Sequence, residues 1–384
     1  MKCLINGKII LKNQILENKV LVFDEKIIDI ADSVPKDCEV IDADGKYISP
    51  GLIDIHIHGN MGKDTMDSTD ESIETISKSI MRHGVTSFLP TTMTMDKEHV
   101  YDALEVIKKA QNRKLEGAQV LGAHLEGPFI NENYKGAQNE KFIINSKYEF
   151  IKEYKDVIKV ITYAPEKDIE FDFTREIKRC TDIVLSIGHS NANYEQAKEA
   201  INLGVTNVTH MFNAMTGLNH RDPGVVGAAL TTNVYSELIA DTIHINKDLF
   251  QFILNNKGKE RLILITDSIE AGGLEDGNYS LGGQKVIVKG NEARLENGAL
   301  AGSVLSLNKM VFNFLDNTNL KVNEAINLAS LNPATSLGIN DKKGSLEIGK
   351  DADIAVFDEN LDCKMTICLG EVVYKNIIVY KTNL

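Results

Sequence analysis

Between residues 53 and 265 the chain repeats one pattern eight times: a short, unbroken apolar run followed by a polar or helical stretch. The runs fall at 53–57, 85–89, 120–123, 157–163, 183–187, 205–208, 237–240 and 262–265. Unbroken runs suit parallel strands covered on both faces, because a strand with one wet face would alternate apolar and polar residues. Most of the gaps carry helical apolar spacing, at 72–83, 97–109, 195–203 and 247–255. Eight β-α repeats predict an α/β fold, a TIM-type (β/α)8 barrel, and 384 residues, 43% of them hydrophobic, are enough to fill it.

The flanks read differently. Short β-like runs separated by Asn, Gly and Asp turn signals occupy the first 48 residues, and similar runs follow Gly344-Ser345-Leu346 at the other end. Each set is too short to fold alone, so the two are expected to complete one another. The predicted organisation is a small β-sandwich from 1–48 plus 345–384 and a barrel over 49–344. A glycine-rich, β-like stretch at about 272–302 reads as a hairpin inserted after the eighth strand, over the site.

In a barrel of this type the chemistry gathers at the C-terminal ends of the strands. Strand one ends in His56-Ile57-His58, strand three in His124-Leu125-Glu126, strand five in Gly188-His189-Ser190 and strand six in Thr209-His210-Met211. Strand seven ends in Asp241-Thr242-Ile243-His244 and strand eight in Thr266-Asp267-Ser268. Six of the nine histidines therefore lie at strand ends, and only His83, His99 and His220 fall elsewhere. Any one alone would read as a hydrogen-bonded core residue; together they read as a metal centre. Residues two apart on a strand point the same way, so His56 and His58 can share an ion. Imidazole and carboxylate without thiolate suit Zn²⁺, Fe²⁺ or Mn²⁺. Glu126, His189 and His210 offer three ligands and leave a position for water, and Asp267 is placed to take and deliver its proton.

Composition closes other routes. A net charge of -13 and a pI near 5.3 leave no basic field for nucleic acid. No segment approaches the ~20 apolar residues that a membrane helix needs. Met1 to Val20 reads as no secretory signal, because Asn6, Gly7, Lys8, Lys12 and Asn13 break any apolar stretch. The five cysteines, Cys3, Cys38, Cys180, Cys363 and Cys368, are scattered and lack a C-x-x-C, so they are read as reduced packing residues in a cytoplasmic protein.

These residues together resemble the amidohydrolase superfamily, and within it the N-acetylglucosamine-6-phosphate deacetylases. The matching words are Pro50-Gly51-Leu52-Ile53-Asp54-Ile55-His56-Ile57-His58-Gly59, His124-Leu125-Glu126-Gly127-Pro128-Phe129, Thr209-His210-Met211-Phe212-Asn213-Ala214-Met215, Arg221-Asp222-Pro223-Gly224 and Leu300-Ala301-Gly302-Ser303. The resemblance spans nearly the whole chain. It implies hydrolytic deacetylation of N-acetyl-D-glucosamine 6-phosphate by metal-activated hydroxide, with Asp267 as general acid/base. It also implies one or two divalent ions per subunit: a principal one on Glu126, His189 and His210, Zn²⁺ foremost, and a second site that His56 and His58 could complete, although some members work with one metal. Asn213, Ala214, Arg221 and His244 are implied as substrate and phosphate contacts, with Ala137, Asp241, Leu300, Ala301 and Gly302 lining the sugar pocket. Relatives whose equivalent of Arg221 reaches the neighbouring subunit imply a homodimer. Gln138 stands where some members carry a histidine, and is expected either to touch substrate or to serve the structure. The alternatives are a galacto-isomer deacetylase, a purine or adenine deaminase, and a non-catalytic scaffold on the same barrel.

Overall fold

The computed structural model describes residues 1–376. Eight parallel strands form the barrel: β1 (Leu52–Ile57), β2 (Val85–Thr92), β3 (Ala123–Glu126), β4 (Ile158–Tyr163), β5 (Val184–Ile187), β6 (Asn207–Val208), β7 (Tyr235–Ile239) and β8 (Leu262–Ile265). Each pairs with the next in sequence, and a parallel bridge from Ile57 to Ser268 brings the end of β8 back to β1. Every residue of β1, β2, β5 and β8 is buried, as unbroken apolar runs require. The expected third run is interrupted: Gln119–Val120 pairs with β2, then Gly122 turns at φ 144° before β3 resumes. A Cβ at Gly122 would lie 2.4 Å from the Val157 carbonyl oxygen, so the kink depends on glycine.

The helices follow the predicted positions. Asp70–Ile80 starts at Thr69, whose hydroxyl accepts from the Ser72 N–H, and turns Ile73, Ile76 and Ile80 inward. Lys97–Gln111 is capped by Asp96 in the same way and buries Val100, Leu104 and Ile107. Tyr194–Asn202 and Phe250–Lys257 supply two more covers, and the helix that closes the eighth repeat, Leu307–Asp316, comes only after the insertion.

That insertion is more than a hairpin. Gly277–Leu281, Gln284–Lys289 and Glu292–Leu295 form a three-stranded antiparallel sheet. Val286 and Val288 alternate inward onto Met93, Ile269 and Ala301, which seats the sheet over the barrel mouth.

The two chain ends make the remaining sheets. Ile354–Phe357 lies antiparallel to Tyr47–Pro50 in a six-stranded sheet, and a four-stranded sheet is built from Lys2–Ile5, Val20–Phe23, Ile27–Ala31 and Glu39–Asp42. Leu4, Leu21, Phe23, Ile48, Ile354, Val356 and Ile367 share one core between them. The last residues of the span 345–384, namely 377–384, lie outside the described residues. One reading of the cysteines is overturned here: Cys3 and Cys38 are joined by a disulfide, with Cα atoms 6.2 Å apart. Parallel pairing of Lys2 with Glu39 brings them together across 35 residues of sequence, a contact that cysteine spacing cannot announce. Cys180 is a free, exposed thiol, and Cys363 and Cys368 are free and buried. Among the described residues no helix is long and apolar enough to cross a membrane.

Candidate metal centre and active site

Four imidazoles converge at the barrel mouth on one glutamate. Glu126 Oε1, at the end of β3, is 3.1 Å from both His189 Nε2 and His210 Nε2, and 3.4 Å from His56 Nε2. Its other oxygen, Oε2, is 3.2 Å from His58 Nε2. Asp267 Oδ1 completes the group at 3.2 Å from His58 Nε2 and 3.5 Å from His56 Nε2. All six side chains are nine-tenths buried or close to it.

What each imidazole does with its second nitrogen decides the chemistry. Nδ1 of His58 faces the Thr91 carbonyl oxygen at 3.2 Å, that of His189 the Tyr134 carbonyl at 2.9 Å, and that of His210 the Asn213 carbonyl at 3.2 Å. Nδ1 of His56 faces the Glu237 carboxylate at 3.2 Å. Carbonyl and carboxylate oxygens only accept, so each Nδ1 carries a hydrogen and each Nε2 is the nitrogen left to hold either a proton or a metal ion. Four Nε2 atoms and two carboxylates aimed at one small volume repel one another unless positive charge, protons or a metal ion, lies among them. A divalent cation fits this donor set, and His56 Nε2, buried with no hydrogen-bond partner among the described residues, fits it too.

The titration tendencies say the same. Burial alone would lower His56 and His58, yet Glu126 and Asp267 raise His56 well above the usual histidine value and His58 to about 9. Burial would raise the carboxylates, but the facing histidines hold Glu126 well below the ordinary range and Asp267 down to about 2. The centre is a trap for positive charge.

The backbone is strained where these groups sit. His189, His210 and Asp267 have φ of 49°, 28° and 49°, a left-handed conformation that is uncommon for residues other than glycine and that concentrates at functional sites. His124, by contrast, is tied off: Nδ1 meets the Ile55 carbonyl at 2.9 Å and Nε2 the Thr162 hydroxyl at 2.7 Å. Burial, and next the nearby His56, push its pKa well below the histidine range. It is a neutral brace below the centre.

A cavity of about 310 Å³ opens over the metal centre. Ala137, Gln138, Asn213, Ala214, His244, Leu300 and Gly302 line it, together with His58, Glu126, His189, His210 and Asp267. Three expected contacts fall elsewhere. Asp241 stands behind the wall, where its Oδ2 is 2.7 Å from His244 Nδ1 and its Oδ1 accepts from the Ile243 and His244 N–H groups; it presents His244 to the cavity. Ala301 is fully buried against the inserted sheet. Arg221 is exposed on a loop outside the cavity of its own chain. The cavity also has walls that the sequence reading did not name: Met93, Asn133, Tyr134, Gly136, Leu281 and Ala299. Leu281 and Ala299 come from the insertion, which the sequence places over the site without marking which of its residues form the wall.

Gln138 is engaged at both ends. Its Oε1 accepts from the Thr94 N–H at 2.7 Å, which fixes the amide orientation, and its Nε2 donates to Glu126 Oε2 at 2.6 Å. Glu237, Thr162 and the backbone carbonyls behind the histidines are the other supports that sequence reading missed.

The sequence pattern of the Amidohydrolase family matches residues 47–373, and the chain belongs to that family. Over 378 residues, 95% of each chain, it is 38% identical to the N-acetylglucosamine-6-phosphate deacetylase of Bacillus subtilis (strain 168). It is 36% identical over 358 residues to the N-acetylgalactosamine-6-phosphate deacetylase of Escherichia coli O157:H7, covering 91% of this chain and 94% of that one. The crystal structure of the Pasteurella multocida N-acetylglucosamine-6-phosphate deacetylase superposes with a TM-score of 0.92 at 29% identity, covering 98% of this chain and all of that one.

Proposed function

We propose that this chain hydrolyses the acetamide of N-acetyl-D-glucosamine 6-phosphate, giving acetate and D-glucosamine 6-phosphate. The observation that carries the proposal is the convergence of four Nε2 atoms on Glu126 and Asp267 at the floor of a cavity, in a chain 38% identical to a deacetylase of that substrate over 95% of its length. We assign Glu126, His189 and His210 to the principal ion and His56 and His58 to a second, with Zn²⁺ as the first candidate and Fe²⁺ or Mn²⁺ behind it. A divalent ion supplies polarisation of the amide carbonyl and a lowered pKa for water.

The protein's own groups do the rest. Asp267, ionised at neutral pH, takes the proton of the attacking water and delivers it to the departing amine nitrogen, without which the amine would not leave. His244, held by Asp241, and Asn213 orient the sugar, while the inserted sheet shields the reacting centre from bulk water. Among the described residues that line the cavity there is no lysine or arginine, yet a phosphate dianion calls for one. We therefore place Arg221 of a second copy at the phosphate, in a homodimer. A cytoplasmic location and a small β-sandwich unit at 1–48 plus 345–384 belong to the same reading.

A galacto preference is the second reading, since a relative at 36% identity acts on that epimer. The test is acetate release from the gluco and galacto 6-phosphates and from unphosphorylated N-acetylglucosamine, with metal content measured on the same sample. The proposal expects the gluco 6-phosphate to be turned over fastest, with activity lost on chelation and restored by metal. Faster turnover of the galacto epimer would move the assignment. Turnover that survives complete removal of metal would end it.

A further inference from the structure

Strand β7, Tyr235–Ile239, carries one acidic residue in a wholly buried stretch. Glu237 has no exposed surface; its Oε2 faces His56 Nδ1 at 3.2 Å, and its Oε1 has no hydrogen-bond partner among the described residues. The ion pair with His56 is the one it makes among them. A carboxylate so placed is costly, because burial removes its hydration and one oxygen gets nothing in return; an apolar side chain of similar size would pack at less cost. The functional reading above gives Glu237 no part.

Its partner explains it. Of the four imidazoles, His58, His189 and His210 each rest Nδ1 on a backbone carbonyl, whereas His56 alone has a carboxylate side chain behind it. A carboxylate that accepts from Nδ1–H fixes the tautomer in which Nε2 is the ligating nitrogen and makes that nitrogen the stronger electron donor. His56 Nε2 is the nitrogen that lies 3.4 Å from Glu126 Oε1 and 3.5 Å from Asp267 Oδ1 and has no hydrogen-bond partner of its own.

We infer that Glu237 is a positioning residue that sets the tautomer and donor strength of His56, and so governs the affinity of the second ion without governing the first. The inference rests on the proposed reading that His56 and His58 hold a second ion.

Metal-free protein is titrated with Co²⁺ against a chromophoric chelator for the wild type, Glu237→Leu and Glu237→Gln, and the metal-free melting temperature of each is recorded. The wild type should take up two equivalents. In Glu237→Leu the second should bind about 10- to 100-fold more weakly while the first keeps its affinity, and the metal-free melting temperature should hold or rise. Glu237→Gln, whose amide oxygen can still accept from Nδ1–H, should recover part of the loss. Two equivalents at unchanged affinity in Glu237→Leu would overturn this inference alone. So would an equal weakening of both ions together with a lowered metal-free melting temperature, the mark of a purely structural role. A single equivalent in the wild type would overturn the two-ion reading and this inference with it.

Discussion

At the joint between barrel and terminal sheets, Lys343 Nζ lies 2.5 Å from Asp353 Oδ2 and 3.0 Å from Asp351 Oδ2, with Gln119 and the Leu369 N–H filling Asp353 Oδ1. At the barrel mouth Glu126, Asp267 and Glu237 face histidines and no lysine or arginine among the described residues. Both clusters bury charge, but in the first two permanent cations, Lys343 and the more exposed Lys26 at 3.1 Å from Asp351 Oδ1, balance the two aspartates. The second is neutral only if protons or metal ions enter from outside. A self-balanced cluster holds a joint together; an unbalanced one is a receptor.

Changes at each cluster should therefore have opposite signatures. The largest expected effect is at the mouth: Asp267→Asn should cut kcat by roughly 10²- to 10⁴-fold, the worth of a positioned acid/base, while metal analysis finds the ions still bound and the melting curve little changed. Full turnover in that variant would remove Asp267 from the mechanism. Next comes the joint. Lys343→Met leaves the buried Asp353 with no cation and Asp351 with Lys26 alone, and should cost about 3–5 kcal/mol in denaturant unfolding, with kcat and metal content at mild temperature unaltered. Loss of activity at unchanged stability would erase the distinction between the clusters.

The pH dependence at the joint has a definite sign. Burial alone would lower the Lys343 pKa, but Asp353 and Asp351 raise it above 10.5. Its stabilising contribution is complete below that value and is lost only as pH climbs through the higher folded pKa. The wild type's excess stability over Lys343→Met should accordingly persist from neutral pH into the alkaline range and fade at its upper end.

The smallest effect sharpens the mouth itself. Gln138→Leu removes the donor to Glu126 Oε2 and should weaken metal binding about 10- to 100-fold with little change in KM measured at saturating metal. A rise in KM with metal affinity intact would instead make Gln138 a substrate contact.

Much of this centre could be read without coordinates, for a specific reason. Continuous apolar runs force parallel strands, parallel strands around a barrel put their C-terminal ends at one mouth, and the histidines and acidic residues at the runs' ends then gather there, although His124 and Asp241 end up behind it as supports. Glu126, His56, His58, His189, His210 and Asp267 carry chemistry in their residue type and position, so they were legible. Their supports were not. Three of the four Nδ1 acceptors are backbone carbonyls, of Thr91, Tyr134 and Asn213, which any residue type could have offered. Glu237 reads in sequence as one more strand residue, and Gln138 as a loop amide with two roles open to it.

The sequence by itself determined which strands exist, in what order, and which side chains end them, because burial periodicity and side-chain chemistry are local properties. Only the tertiary structure decided that Glu237 stands behind His56 across 181 residues of chain, that Gln138 steadies Glu126, that Cys3 meets Cys38 and that Arg221 is not among the residues lining its own cavity. Those facts depend on which strands and loops become neighbours once the barrel closes, and distance along the chain carries no record of it.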